Sequence, residues 1–329
     1  QRSFVFIYSM KPKNCLIFGA SGQIGKSLIR RLTQSNYRVT AITRNYHKKG
    51  LILKTQGNAG YIDVKEANIF DSSQIESLIS ETDICINLIG ILFESGKVNS
   101  FKNIHTKIPF LISKLCKEKK IDQLIHVSAL GIESSIESKY SKSKLEGEKE
   151  ILKNFENATI LRPSLVYSVE DSFTTRFMSL LNFLPLFPIY YNGKTKFKPI
   201  LCSDLTEIIF KIVDKNIKNE IIECVGPEEL SFKEIIKILS DLIDKKNILI
   251  PLPIFFAKLS AHFFQLLPNP ILTTDQLKLL KYDSIPSGNY KTNFDMKLYA
   301  NSNFKKEVSK YCYMWKKGGQ FSVNFNTKN

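Results

Sequence analysis

The segment that most constrains the fold lies near the N-terminus, where an apolar run leads into three closely spaced glycines. Residues 15–18 read CLIF, and residues 19–25 follow as GASGQIG. In a strand–turn–helix unit, the first glycine permits the turn, the second lets the backbone approach a pyrophosphate, and the third lets helix and strand pack closely. Apolar residues at helical spacing follow the loop, and 38–43 has a strand pattern. The loop therefore predicts a dinucleotide-binding βαβ unit.

The charge around the second strand indicates which dinucleotide is bound. An NAD site places an acidic residue about 20 residues after the loop to bind the ribose 2′-hydroxyl, whereas an NADP site places a basic residue there for the 2′-phosphate. No carboxylate precedes Asp63, and the second strand ends at Thr43 and Arg44. Because a guanidinium suits a phosphate, we predict NADP(H), with Arg44 reading the 2′-phosphate. We interpret Lys48 and Lys49 as solvated surface cations.

Composition argues against several other functions. The net charge is +16, but the basic residues are overwhelmingly lysine and no nucleic-acid-binding motif accompanies them. The six cysteines form no CxxC pair and the four histidines form no cluster, which predicts no metal site and reduced, buried thiols of a cytosolic-type compartment. His126 lies in an apolar strand pattern and is interpreted as a packed strand residue. We therefore expect neither a nucleic-acid partner nor a metal.

Alternating strand and helix patterns predict the fold class. Helical patterns separate the strand patterns, which is typical of an α/β fold with a doubly wound parallel Rossmann sheet. The predicted strands are 14–18, 38–43, 60–64, 84–89, 123–128 and 158–162, and the predicted helices are 23–34, 72–80, 101–119 and 140–154.

After Pro163 the sequence changes to apolar segments interrupted by prolines, which predicts a smaller, mostly helical C-terminal domain. One apolar, proline-punctuated segment, 248–272, contains a single charge, Lys258. Its uninterrupted part is too short to span a bilayer, so it is either domain core or a helix lying on a membrane or partner surface. The predicted boundaries are a leader or non-native segment at 1–9, an NADP(H)-binding domain at 10–165 to which 195–225 returns, a substrate or partner domain at 166–194 and 226–300, and a basic tail at 301–329.

Three residues form a candidate catalytic group. Ser128 ends the fifth predicted strand, and Tyr140 and Lys144 open the next helix with the spacing YxxxK. Side chains four residues apart share a helix face, so both can point at a nicotinamide ring over the strand ends. Lys144 and an oxidised nicotinamide would favour the phenolate of Tyr140, while Ser128 binds a substrate oxygen. The alternative is that Tyr140 and Lys144 are surface residues of a helix start.

These features together resemble the atypical, extended short-chain dehydrogenases, for which the spacing GxxGxxG is typical. Within them, the chain is most similar to the NADPH-binding accessory subunits of respiratory complex I and their alphaproteobacterial relatives. The matching segments extend from about residue 14 to residue 282. They are GASGQIG (19–25), NLIGILFE (87–94), FKNIH (101–105), HVSALG (126–131), YSKSKLEGE (140–148), ATILRPSLVY (158–167), EDSFTTRF (170–177), FKPILCSDL (197–205), VGPEELSF (225–232) and LTTDQLKLLK (272–281).

The resemblance implies a cofactor site and a function. Asn68 stands where the family usually has Asp near the adenine, and its carbonyl can still accept a hydrogen bond. The implied cofactor ligands are Gly19, Ser21, Gly22, Gln23, Ile24, Gly25, Arg44, Asn68, Asn87, Leu88, Ile89, Gly90, Ser128, Tyr140, Lys144 and Pro163.

Three functions remain open at this point. The resemblance favours an accessory or assembly subunit of a membrane NADH:quinone oxidoreductase, with a mainly structural NADP(H). The intact Ser128, Tyr140 and Lys144 favour a free NADP(H)-dependent reductase or epimerase. An NADP(H)-sensing regulator is the third. For the subunit we expect protein partners in a respiratory complex, a peripheral membrane contact through 248–272, and a cytoplasmic location, at the inner face of the inner membrane or the mitochondrial matrix side in a eukaryote.

Overall fold

The computed structural model describes residues 12–265, 270 and 272–321. The predicted leader, 1–9, and the end of the predicted tail, 322–329, lie outside the described residues. The strands are β1 Asn14–Phe18, β2 Arg38–Thr43, β3 Ile62–Glu66, β4 Ile84–Asn87, β5 Gln123–Val127, β6 Thr159–Pro163, β7 Val166–Tyr167, β8 Leu186–Ile189, β9 Lys196–Phe197, β10 Ile200–Leu201, β11 Glu220–Cys224, β12 Leu230–Ser231, β13 Ile248–Pro251 and β14 Lys291–Thr292. The helices are α1 Gln23–Gln34, α2 Tyr46–Lys54, α3 Ser72–Ser80, α4 Ile108–Glu118, α5 Lys139–Asn154, α6 Thr174–Phe183, α7 Cys202–Asp214, α8 Phe232–Leu242, α9 Ile254–Phe264, α10 Thr274–Leu279 and α11 Phe304–Ser309.

One large sheet organises the molecule. Its eight strands run in the order β14-β11-β6-β5-β4-β1-β2-β3, and every neighbouring pair is parallel. Apolar side chains of α1 and α7 pack on one face of this sheet, and those of α3, α4 and α5 pack on the other. Burial on both faces is the normal state of a parallel sheet. The predicted doubly wound Rossmann architecture is confirmed.

The helix α2 was not predicted from the sequence. It begins after Asn45, whose side chain accepts a hydrogen bond from the Lys48 backbone N–H. Its apolar residues do not form one stripe, since Leu51 and Ile52 are exposed while Leu53 is buried. Because helix prediction depends on a regular apolar stripe, this lysine-rich segment gave no signal.

The C-terminal residues depart from the predicted boundaries in two places. Strand β14 pairs with β11 and so joins the large sheet from within the segment assigned to the C-terminal domain. The prediction of a basic tail is wrong for 301–321, because Phe304, Val308 and Trp315 are buried in an aromatic core with α6 and α8. These apolar residues recur at helical spacing, but the intervening lysines masked the pattern.

The described residues of the apolar segment 248–272 are partly core and partly surface. In α9, Ala257 and Ala261 are buried, whereas Phe255, Phe256 and Leu259 are 70%, 55% and 46% exposed. One side of α9 therefore packs on the domain, and the other presents aromatic and aliphatic groups to solvent. Among the described residues, no helix combines the length and the apolar character that crossing a membrane requires.

Candidate functional site

The glycine loop connects the end of β1 to the start of α1, and it has the geometry of a phosphate cradle. Gly19 has φ +80°, and a Cβ there would lie 3.0 Å from the carbonyl carbon of Leu88. A Cβ on Gly25 would lie 2.4 Å from the Ala20 carbonyl oxygen. Gly22 precedes α1, and no side chain caps the helix. The first-turn N–H groups are therefore available to an external acceptor such as a pyrophosphate, and the loop fits a dinucleotide.

Three other loop residues contact neighbouring segments. The Gln23 side-chain oxygen accepts a hydrogen bond of 2.6 Å from the Ser168 hydroxyl, and Ile24 packs against the core between α1 and the sheet. The Ser21 hydroxyl accepts from Lys49 Nζ at 3.4 Å. The interpretation of Lys49 as a surface cation is therefore incomplete, because its ammonium lies at the glycine loop. No sequence signal separates it from Lys48.

Arg44 follows β2 and is exposed. Its guanidinium makes no hydrogen bond or ion pair with any residue that the structure describes. A carboxylate nevertheless lies one strand away, since Glu66 of β3 is in register with Thr43. One of its carboxylate oxygens accepts a hydrogen bond of 2.6 Å from the Tyr46 backbone N–H at the start of α2. The sequence stretch without acids therefore does not exclude an acid in space, because a parallel sheet brings distant strand ends together.

The loop after β3 and the end of β4 contain further predicted cofactor ligands. The Asn68 side-chain oxygen accepts a hydrogen bond from the Phe70 N–H at 3.0 Å, which leaves one lone pair for an adenine. The Asn87 side chain is buried, lies 3.1 Å from His126 Nδ1, and accepts from the Ile89 N–H. Asn87 therefore shapes the turn Asn87–Gly90 rather than reaching outward.

Ser128, Tyr140 and Lys144 lie where β5 ends and α5 begins. Ser128 is buried, and its hydroxyl has no hydrogen-bond partner among the described residues. An orphaned buried hydroxyl costs free energy unless a ligand or water satisfies it, so this atom fits a cofactor or substrate contact. Lys144 donates to the Val127 carbonyl at 3.2 Å, and a Cβ on Gly90 would lie 3.3 Å from its ammonium. The Lys144 ammonium therefore lies between the β4 turn and β5.

The pKa values of this pair differ from the sequence expectation. Burial raises the pKa of Tyr140 to about 12 and lowers the pKa of Lys144 to about 8. We expected Lys144 together with an oxidised nicotinamide to favour the phenolate, whereas in the protein alone desolvation dominates the pKa of both groups. The ammonium is engaged by the Val127 carbonyl instead. In the protein alone, Tyr140 is therefore a neutral phenol at physiological pH.

His105 is a site residue that the sequence analysis missed. It lies in a π-helical turn, Lys102–Lys107, and its ring packs edge-on against Tyr140 with centroids 5.2 Å apart. The Ile91 N–H donates to His105 Nε2 at 3.1 Å, so Nδ1 carries the proton and donates to the Ser143 hydroxyl at 3.0 Å. Ser143 in turn donates to the Tyr140 carbonyl at 2.7 Å. This chain of hydrogen bonds links the loop after β4 to α5.

Two buried neutral imidazoles make the fold acid-sensitive. Burial and the nearby Lys144 lower the pKa of His105 to about 2 and hold the pKa of His126 well below its ordinary value. The unfolded chain therefore binds more protons below pH 6.5, and the unfolding free energy falls as pH drops, by up to about 1.4 kcal/mol per pH unit for each histidine. We expect urea unfolding at pH 7, 6 and 5 to show this loss.

Substitution of one of these histidines tests the assignment. His126→Gln replaces the imidazole by an amide that takes up no proton, so it should halve the loss of stability between pH 6 and pH 5. The matched control, His47→Gln, replaces an exposed histidine and should leave the slope unchanged. Equal slopes for the original chain and His126→Gln would show that His126 is not responsible.

The fold and the glycine loop define a class of protein: a Rossmann-type dinucleotide-binding protein. The chain belongs to the NAD dependent epimerase/dehydratase family, whose family model matches residues 15–223. The predicted membership in the extended short-chain dehydrogenases and the nicotinamide-dinucleotide-binding type of domain are confirmed.

The relatives are subunits of a respiratory enzyme as well as sugar-nucleotide enzymes. The chain is 27% identical to NADH dehydrogenase (ubiquinone) 1 alpha subcomplex subunit 9, mitochondrial, of Dictyostelium discoideum, covering 95% of this chain and 88% of that protein. It is 26% identical to the Mus musculus protein of the same name, with 82% and 72% covered. The crystal structure of UDP-glucuronic acid 4-epimerase from Bacillus cereus with UDP-glucuronic acid and NAD is 19% identical, with a TM-score of 0.66 over 91% of this chain and 99% of that one, which shows a shared fold.

Proposed function

We propose that this protein binds NADP(H) and serves as an accessory or assembly subunit of a membrane NADH:quinone oxidoreductase, in which the cofactor is mainly structural. The observation that carries this proposal is the similarity, over 82–95% of the chain, to proteins named as subunits of that enzyme. Because those proteins are named mitochondrial, the proposed location is peripheral, on the inner or matrix face of the inner membrane.

The site geometry supports a structural role for the cofactor. A general base works best when its pKa lies near the working pH, whereas burial raises the pKa of Tyr140 to about 12. Reduced nicotinamide has no ring charge to counter this effect. NADPH can therefore be held by the glycine loop, the Ser128 hydroxyl and the Lys144 ammonium. Its binding does not bring the pKa of Tyr140 near the working pH.

The proposed 2′-phosphate site predicts a selective loss of NADPH affinity. Arg44→Ala removes a cation just after β2, and Lys49→Ala removes the cation that donates to the Ser21 hydroxyl. A charge-assisted hydrogen bond contributes about 1.5–3 kcal/mol, so each variant should weaken NADPH about 10–100-fold and leave NADH nearly unchanged in a fluorescence titration.

The matched control for this prediction is Lys48→Ala, which changes an exposed lysine of the same helix and should have little effect on either cofactor. Equal losses for NADPH and NADH in Arg44→Ala would contradict the assignment, and Glu66 would then be the candidate ribose ligand in an NAD site.

Affinity purification from gently solubilised membranes tests the proposed partner. The protein should co-purify with the NADH:quinone oxidoreductase, and its removal should lower the amount of assembled enzyme. Tyr140→Phe should leave this association unchanged, because the phenol hydroxyl is not needed to hold the subunit. A protein recovered alone would contradict the proposal.

The second candidate is a free NADP(H)-dependent reductase or epimerase. It is favoured by the Ser128 hydroxyl, which has no hydrogen-bond partner among the described residues and which a substrate oxygen would satisfy. This function predicts turnover by the purified protein that Tyr140→Phe abolishes.

A further inference from the structure

The start of α5 is capped by a residue far away in the sequence. The backbone N–H groups of Lys139 and Tyr140 donate to the two carboxylate oxygens of Asp275 at 2.8 and 3.0 Å, and the Ser138 hydroxyl donates to the same carboxylate at 2.7 Å. First-turn N–H groups have no partner within their own helix. Asp275 therefore satisfies donors at the end of α5 that carries Tyr140, and its negative charge is favourable at a helix N-terminus.

The Asp275 carboxylate is itself firmly held. It lies in α10, whose first turn is closed by a reciprocal pair of hydrogen bonds between Thr273 and Gln276. Leu277 of α10 is buried in a small core with Ala257 and Ala261 of α9. The position of the carboxylate is therefore set by the packing of α9 against α10.

A second contact joins the same two segments. Lys281 Nζ and the Tyr282 hydroxyl donate to the Glu137 carboxylate at 3.1 and 2.7 Å, and Lys278 Nζ donates to the Glu137 carbonyl at 3.2 Å. Glu137 directly precedes the cap residue Ser138. Residues 275–282 thus contact residues 137–140 through several backbone and side-chain hydrogen bonds. The contact of Asp275 with α5 is therefore not a single isolated interaction on the surface.

We propose that Asp275 positions α5. Through Asp275, the packing of α9 against α10 determines where Tyr140 and Lys144 lie. This inference rests on the proposed cofactor function of α5. It gives a role to the segment LTTDQLKLLK, which carries none of the candidate catalytic groups. It also connects the exposed apolar side of α9 to the cofactor, since α9 and α10 share one core.

Amide hydrogen exchange in the protein without ligand tests the first half of the proposal. In Asp275→Ala, the N–H groups of Lys139 and Tyr140 should exchange at least about tenfold faster, because their acceptor is gone. Asp275→Asn keeps one acceptor oxygen and should restore part of the protection. The matched control, Gln276→Ala, removes only the acceptor of the Thr273 N–H, because the Thr273 hydroxyl still caps α10. It should speed exchange at Thr273 more than at Lys139 and Tyr140. Unchanged exchange at Lys139 and Tyr140 in Asp275→Ala would overturn the proposal.

NADPH titration of the same variants tests the second half. The dissociation constant should rise about tenfold in Asp275→Ala, less in Asp275→Asn, and less than about threefold in Gln276→Ala. Faster exchange with unchanged NADPH affinity, or an equal loss in Gln276→Ala, would overturn the positioning role. If the unsubstituted chain itself binds no NADPH, the proposed function fails, and the exchange experiment still decides whether Asp275 holds α5.

Discussion

Replacing Glu148 by glutamine should lower the free energy of unfolding by about 3–5 kcal/mol. Arg162 of β6 donates two hydrogen bonds, of 3.0 and 2.6 Å, to the carboxylate oxygens of Glu148, and both side chains are buried. The other carboxylate in contact with Arg162 belongs to Glu133, which is half-exposed and cannot balance the guanidinium charge alone. Without Glu148, a buried cation loses its bidentate partner. Urea unfolding at neutral pH measures the loss.

Two further variants make this prediction specific. Glu146→Gln changes an exposed carboxylate of the same helix and should alter stability by less than about 0.5 kcal/mol. The double variant Glu148→Leu with Arg162→Met removes both charges and should recover most of the stability, because well-packed apolar residues can replace a buried ion pair. If Glu148→Gln is as stable as Glu146→Gln, the pair does not contribute to stability as inferred.

Replacing Gly147 by alanine should prevent α5 from packing against the π-helical turn that contains His105. A Cβ at this position would lie 1.8 Å from the His105 carbonyl oxygen, which is far inside van der Waals contact. Both atoms belong to backbone or are fixed to it, so α5 and the π-helical turn would have to separate. We expect a loss of about 4 kcal/mol or more in urea unfolding, at the extreme of single substitutions, together with loss of NADPH binding.

Gly50→Ala is the matched control, since it is also a helical glycine. There the new Cβ would meet the ring of Tyr46 at 2.8 Å, and a half-buried side chain can move. Because alanine is favoured over glycine within a helix by about 1 kcal/mol, the net change should be small. A Gly147→Ala protein with nearly unchanged stability would show that the π-helical turn yields easily.

The sequence predicted those features that local pattern determines. The apolar strands and the glycine loop are each determined by a few neighbouring residues, and the structure has them. The partner of Arg162 in its buried ion pair, Glu148, could not be identified from the sequence, because the pair joins a strand to a helix. Asp275 is the clearest case, since it caps a helix 135 residues earlier in the chain and no local pattern marks a distant cap.

His105 illustrates a different limit. Its role depends on a π-helical turn that lies against Gly147, and this turn leaves no distinct periodicity in the sequence. Glu66 shows the converse: a sequence stretch without acids implied a site without acids, but the register of β2 with β3 places a carboxylate beside the end of β2. Sequence neighbours and spatial neighbours differ most where parallel strands end.

The order of strands in the large sheet has a consequence for synthesis of the chain. Strands β1 to β6 are made first, but the outer edge of β6 gains its partner only when β11 emerges, and β11 gains β14 later still. At about 5–20 residues per second, the ribosome leaves the β6 edge open for several seconds. An open strand edge is a template for aggregation, so the nascent protein needs protection during that interval, and a chain interrupted before β11 would retain the hazard permanently.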